Sequence, residues 1–223
     1  MAQGRKGTGS ARNSFRPVPC VIAVDQSYTR TGLAICVRGQ IKKATSVKLV
    51  NIKSKTMKRA AVQDMLNKAI SSCLKHFDPS QVCVLVERIR TFTGSQESIE
   101  TTAKGSNPFS GFRPDVLKAH ASLIACIVDT AYYRGIKTYS VTTKSWKSSV
   151  LGTSKLVFDA VPGVKNPQKF GSVRKAISLG FEDKMKIKSC RTGNTSLDDD
   201  MADAICMSLY LFQKPPYQVK IEE

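Results

Sequence analysis

The sequence predicts an α/β fold: a five-stranded mixed sheet, its first three strands antiparallel, covered by helices on both faces. Three observations lead there. β-rich runs stand three in a row near the start of the chain. From residue 57 on, helical and extended patterns alternate, as they do where crossovers join strands of one sheet. Two extended runs are apolar almost throughout, and such strands need cover above and below.

In chain order, "CVIAVDQSYTRTGLAICVRG" holds two β-rich runs, 20–25 and 32–38, joined by a tight polar segment. This is a hairpin whose first strand is apolar throughout and therefore central. "QIKKATSVKLV" supplies the third strand. Over 57–77, Met57, Val62, Met65, Leu66, Ala69, Ile70, Cys73, Leu74 and Phe77 fall on one helical face, closed by Asp78-Pro79. "QVCVLVERIR" is the fourth strand. Residues 91–112 form a Gly/Ser/Thr-rich loop, long enough to be functional or mobile. Pro114 opens a helix running to about Arg134, with Gly135 as its C-cap. "IKTYSV" is the fifth strand. Short helices follow near 143–151 and 172–180, and the last helix lies in 196–212, ended by Pro215-Pro216. The chain divides into a basic arm (1–18), one domain (19–214, with an insertion at 153–171) and a tail (215–223).

Thirty-five basic residues against seventeen acidic ones give a net charge of +18 and an isoelectric point near 9.8. The charge is clustered, which points to a polyanion, with nucleic acid ahead of an anionic membrane surface. The arm has four basic residues and no acid up to Val18, suited to a phosphate backbone or simply to a flexible terminus. No apolar run approaches the ~20 residues of a membrane span, and the start lacks the apolar core of a secretion signal. The expected location is the cytoplasm or nucleoid (the host cytoplasm for a viral chain). Seven cysteines form no C-x-x-C pair and have only two histidines beside them, so they read as small buried residues in a reducing compartment, not a zinc site.

Acid is scarce, yet "SLDDDMADAICMSLYLF" (196–212) crowds four carboxylates into a turn and a half. Asp199, Asp200 and Asp203 fall within one ~100° sector of a helix, with Asp198 on the far side. Ser196 as N-cap with Asp199 at N3, and first-turn acids on the helix dipole, account for Asp198 and Asp199 but not for Asp203 beside Asp200. Asp25 ends the first strand, where a turn-capping role is equally open. Glu87 interrupts an apolar strand, and Arg88 and Arg90 point to its opposite face. Carboxylates this close repel unless a cation lies between them. Asp25, Glu87, Asp200 and Asp203 are hard oxygen donors suited to magnesium or manganese, and two such ions can hydrolyse a phosphodiester.

With these residues in order, the chain over about 20–213 resembles the RuvC family of Holliday junction resolvases, within the RNase H-like nuclease superfamily. "AVDQSYTRTGLA" looks like the family's first-strand motif, "VLVERI" its fourth-strand motif and "DDMADAICMSL" its D-x-x-D-A helix. The resemblance implies Asp25, Glu87, Asp200 and Asp203 as metal ligands, and excludes Asp199. "WKSSVLG" matches the V-K-x-x-V-x-G pattern except for Trp146, and implies that Lys147 contacts DNA near the cut. A second family lysine has no clear counterpart because of the insertion: Lys155, Arg174 and Lys175 are the candidates. The family's aromatic wedge position is Arg90, with Phe92 the nearest aromatic. Trp146 is a base-stacking ring or a core residue. The arm and insertion look like those of a divergent, viral member.

Residues 137–175, Lys144 among them, hold eight basic residues and one acid, a local net of +7, and with "KMKIKSCR" form a phosphate-binding rim. The resemblance implies a homodimer that cuts four-way junction DNA symmetrically. The helix 114–134 is the candidate dimer surface, with Ala119, Ala121 and Ala125 allowing close approach. Two other readings stay open: a related nuclease acting on RNA–DNA hybrids, forks or flaps, and a non-catalytic nucleic-acid scaffold. The chain lacks the second domain and Gly-rich phosphate loop of a sugar-kinase or actin-like ATPase.

Overall fold

Strand residues that alternate between two helical layers explain the architecture. The computed structural model describes residues 18–88, 114–153, 158–164, 166–188, 195–211 and 217–218. Strands β1 (Cys20–Asp25), β2 (Arg30–Val37) and β3 (Gln40–Lys48) form an antiparallel meander. Its second turn, Arg38-Gly39, has both residues at positive φ (48° and 82°), a backbone that matches the twist of the flanking strands. Helix α1 (Lys55–Cys73) then crosses to β4 (Val82–Glu87), which lies parallel to β1. Helix α2 (Pro114–Tyr132) crosses to β5 (Lys137–Val141), parallel to β4. The short α3 (Thr143–Val150), α4 (Phe170–Ser178) and α5 (Glu182–Met185) precede the long final helix α6 (Asp199–Tyr210).

The five predicted strands are present in the order β3-β2-β1-β4-β5, with the first three antiparallel. Three strands, and the one-turn helix α5, are additional among the described residues. Strands β6 (Lys186–Lys188) and β7 (Thr195–Leu197) pair as a separate ribbon. The segment expected as a tail contributes a two-residue strand, β8 (Tyr217–Gln218), beside β5. Two or three residues of strand lie below what periodicity can register.

Along β1, Cys20, Ile22 and Val24 face α1 and α2, and along β4 so do Val82, Val84 and Val86. Leu66 and Ile70 of α1 and Leu123 and Ile127 of α2 close that layer. Val21, Ala23, Cys83 and Leu85 face the other way, against Trp146, Cys206, Met207 and Tyr210. Asp25 and Glu87 belong by the same alternation to this second face, the one covered by α6. The free thiols of Cys20, Cys36, Cys73, Cys83 and Cys206 are buried within these layers. No helix among the described residues is long and apolar enough to cross a membrane.

The predicted cap of the last helix needs correction. Ser196 lies in β7, and Asp198 is the N-cap, its Oδ1 accepting from the Met201 N–H at 3.0 Å. Its Oδ2 accepts from Arg30 at 3.0 Å and from the Ser46 hydroxyl. A charged cap is stable in a buried position because β2 and β3 supply partners there, which a serine would leave idle. The same helix turn presses on Gly32, whose added Cβ would lie 2.2 Å from the Asp200 carbonyl oxygen.

The 153–171 segment, where described, sits against α6: Val161 and Phe170 join a core with Met201, Ala202 and Ile205. The basic arm and the 91–112 loop lie outside the described residues, apart from Val18 of the arm.

Gly32→Ala is expected to lift the first turn of α6 and to cost about 2 kcal/mol, the usual order for overpacking a closed core. Urea unfolding checks this: the midpoint falls with an unchanged slope, and a midpoint equal to the parent's would show that α6 moves freely.

Candidate active site

Parallel pairing of β1 with β4 continues the Val24–Val86 register to the strand ends, so Asp25 and Glu87 stand at neighbouring C-terminal ends. Crevices at such ends are the usual ligand position in α/β sheets. Gln26, just past β1, fastens the two together. Its Nε2 donates to the Glu87 carbonyl at 2.6 Å, and its Oε1 accepts from the Glu87 N–H at 3.3 Å. A buried side chain thus extends the ladder after the backbone pairing has ended. Thr143, the first residue of α3, donates its hydroxyl to Glu87 Oε1. Thr142 caps that helix by accepting from the Ser145 N–H, which fixes where Thr143 stands.

From above, α6 brings Asp200 in its first turn and Asp203 in its second. Between these and Asp25 lies the ammonium of Lys169, at 2.6 Å from Asp203 Oδ2 and 3.2 Å from both Asp25 Oδ2 and Asp200 Oδ1. Asp199, excluded by the motif register, takes no part in these pairs. The other oxygen of Asp203, Oδ1, is buried with no hydrogen-bond partner. Glu87 stands beside the trio, held by Thr143 and within the fields of Asp203, Lys169 and Lys147.

Burial dominates the electrostatics. It pushes Asp25 and Glu87 above the ordinary carboxylate range. Lys169 opposes the rise at Asp25, while Thr143 and the two lysines oppose it at Glu87. Burial raises Asp200 from 3.8 to about 6, again against Lys169. Burial draws Lys169 the other way, but the carboxylates of Asp25, Asp203 and Asp200 outweigh it and hold the ammonium well above its usual value.

Lys169 is the residue that the sequence reading missed. It lies inside the insertion, and no spacing rule reaches across a loop of altered length. The local signal was "NPQK": Asn166 Oδ1 accepts from the Gln168 N–H at 3.0 Å, and Pro167–Lys169 forms a 3₁₀ turn. Of the three candidates for a second cation, Arg174 turns away to pair with Asp159 at 3.4 Å. Lys175 is half-buried on α4 and pairs with no acid among the described residues, and Lys155 lies outside them. Arg90 and Phe92 also lie outside them. Lys147 is close to the site but held inward, donating to the Gln168 carbonyl at 2.6 Å and lying 5.3 Å from the Trp146 ring centroid. Trp146 itself is wholly buried against the sheet, which removes it as a base-stacking residue and makes it core. Lys144 is exposed on the same helix.

The donor set suits a hard divalent cation, and the unpartnered Asp203 oxygen is the kind of atom such an ion satisfies. As the side chains stand, no three His, Cys, Asp or Glu residues among the described ones gather closely enough to hold a metal. The ammonium of Lys169 occupies the point where they converge.

No family model matches the chain, and no curated protein is significantly similar to it in sequence. Solved structures are similar in fold. The RuvC of Thermus thermophilus in complex with a Holliday junction substrate superposes with a TM-score of 0.53 at 10% identity, covering 86% of this chain and 90% of that one. A second structure of Thermus thermophilus RuvC gives 0.52 at 12% identity, covering 86% and 92%. The mixed five-stranded sheet with helices on both faces is thus the RNase H-like fold of RuvC.

The raised Asp200 value has a pH signature. A carboxyl held at about 6 instead of 3.8 binds its proton more tightly in the folded chain, so the contribution of Asp200 to stability falls as pH rises from about 4 to about 6 and is flat above. Asp200→Asn in EDTA is therefore expected to be the more stable form at pH 7, by on the order of 2 kcal/mol, and not at pH 4. Denaturant melts at the two pH values check this. Equal or lower stability at pH 7 would mean that pairing with Lys169 outweighs burial.

Proposed function

We propose that this chain is a metal-dependent endonuclease that cuts branched DNA, the four-way junction foremost, by paired symmetric hydrolysis in a homodimer. The observation that carries the reading is the convergence of Asp25, Asp200 and Asp203 on one buried point beside Glu87, in a chain whose net charge is +18. The related fold of a RuvC solved with a Holliday junction substrate supports it.

Asp25, Glu87, Asp200 and Asp203 would hold magnesium or manganese, two ions, which would supply a Lewis acid for water activation and for the leaving oxygen. The chain's own groups do the rest. Thr143 and Gln26 orient Glu87 against Asp25. The exposed Lys144 would contact phosphate, and Lys147 of the same helix, held inward on the Gln168 carbonyl, would do so once released. The outward face of α2, with Ala121, Ala125 and Tyr132 exposed, is the surface on which a second copy would seat and bring two sites to two strands.

The test is a panel of four-way junction, fork, flap, duplex and RNA–DNA hybrid, incubated with magnesium, manganese or EDTA and read at nucleotide resolution. Paired symmetric nicks in the junction, dependent on metal, are expected. Preference for hybrid, fork or flap would move the function to a related nuclease, and binding without cleavage to a scaffold. Asp203→Asn is expected to lower cleavage at least about 1000-fold while junction binding by gel shift is kept or improved, since a charge facing phosphate is removed. Lys147→Ala is expected to slow cleavage about tenfold or more; an unchanged rate would remove it from the site. Ala121→Arg is expected to convert a dimer to a monomer by light scattering, and a dimer that persists would place the interface elsewhere.

A further inference from the structure

Lys169 does more than balance charge. An ammonium has three donors, and here all three face carboxylates: Asp203, Asp25 and Asp200. Its backbone neighbour Gln168 holds Lys147, through the carbonyl that accepts from Nζ at 2.6 Å. The two lysines nearest the acids therefore hang on a single turn, Pro167–Lys169, pinned by Asn166 at its start. The oxygens on which Lys169 spends its donors are those a divalent cation needs, and one that is left over, Asp203 Oδ1, is buried without a partner. An ammonium and a divalent ion sharing that space repel at short range in a medium that screens poorly. They compete for the same oxygens.

We propose that Lys169 is a built-in counter-cation that withdraws from Asp25, Asp200 and Asp203 when a divalent cation is bound, and that its withdrawal carries the Gln168 carbonyl off Lys147, freeing that ammonium for a DNA phosphate. This rests on reading the four acids as a metal site. Before loading, Lys169 keeps the acids from repelling one another and keeps Lys147 turned inward. After loading, two lysines stand beside the acids, free for phosphate. The chain thus binds phosphate at the site most strongly when the site can use it. Lys169 is a positioning residue in this scheme, acting through the acids and through Lys147.

The test uses the full chain and manganese alone, without nucleic acid. Brief acetic anhydride treatment followed by peptide mass spectrometry reads lysine access, with the exposed Lys42 and Lys68 as references. In EDTA, Lys169 and Lys147 are expected to be protected. With manganese, their modification rises about tenfold while the references do not change. Calorimetry of Lys169→Met is expected to show manganese bound about tenfold more tightly than by the parent, because no resident cation holds the site closed. Manganese binding to the parent with no gain in Lys169 access would overturn the proposal, as would equal or weaker binding by Lys169→Met. No manganese binding by the folded parent would overturn it together with the metal-site reading. Exchange as described, in a chain that cuts no nucleic acid, would sustain the proposal and end the nuclease reading alone.

Discussion

The site depends on how closely the first turn of α6 can approach the sheet. Asp25 pairs with Gly32 across the β1–β2 ladder, and the Asp200 carbonyl lies over Gly32 where a methyl group would otherwise stand. That missing methyl is what lets a helix-borne acid reach a strand-borne one. The approach is locked from the side by Asp198, which caps α6 while bonding Arg30 of β2 and Ser46 of β3. A buried carboxylate is costly unless paired. The same pairing that makes Asp198 tolerable also sets the height of Asp200 and Asp203 above the sheet.

Two charge patterns of opposite sign follow from this placement. The surface is basic enough to gather a polyanion, while the cluster at the strand ends is acidic and buried. An acidic pocket in a basic protein repels the phosphate that the surface attracts unless cations mediate. Lys169 mediates among the acids themselves, and Lys147 and Lys144 lie between pocket and surface. Burial raises Asp25, Glu87 and Asp200 in concert, so each acid binds a proton or a cation more readily than it would in water.

Much of this was legible in the sequence, and the reason is periodicity. The two-residue repeat of β1 and β4 puts Asp25 and Glu87 on one face whatever the rest of the chain does. The helical repeat groups Asp200 with Asp203 just as firmly. Contacts across long separations were not legible. Lys169 lies 144 residues from Asp25, and the insertion breaks any register that would link them. Gln26 and Thr143 are ordinary polar residues whose roles appear only once β4 lies beside both. Ser196 had the better sequence pattern for a cap, but Asp198 prevailed because Arg30 and Ser46 come to it in space. Trp146 could not be settled by pattern, and the fold buried it.

The free edge of the sheet has a consequence of its own. Among the described residues β3 pairs with β2 on one side only, and its nine residues present the open side of their backbone to an extended chain. Lys42, Lys43 and Lys48 stand along it, and like charges discourage a second copy from adding its own strand there. That protection is electrostatic, so it weakens as salt rises or as polyanion coats the surface. At high salt these molecules lose the repulsion that keeps their edges apart in dilute solution. Sheet-to-sheet aggregation is then held back by little more than the twist of one strand.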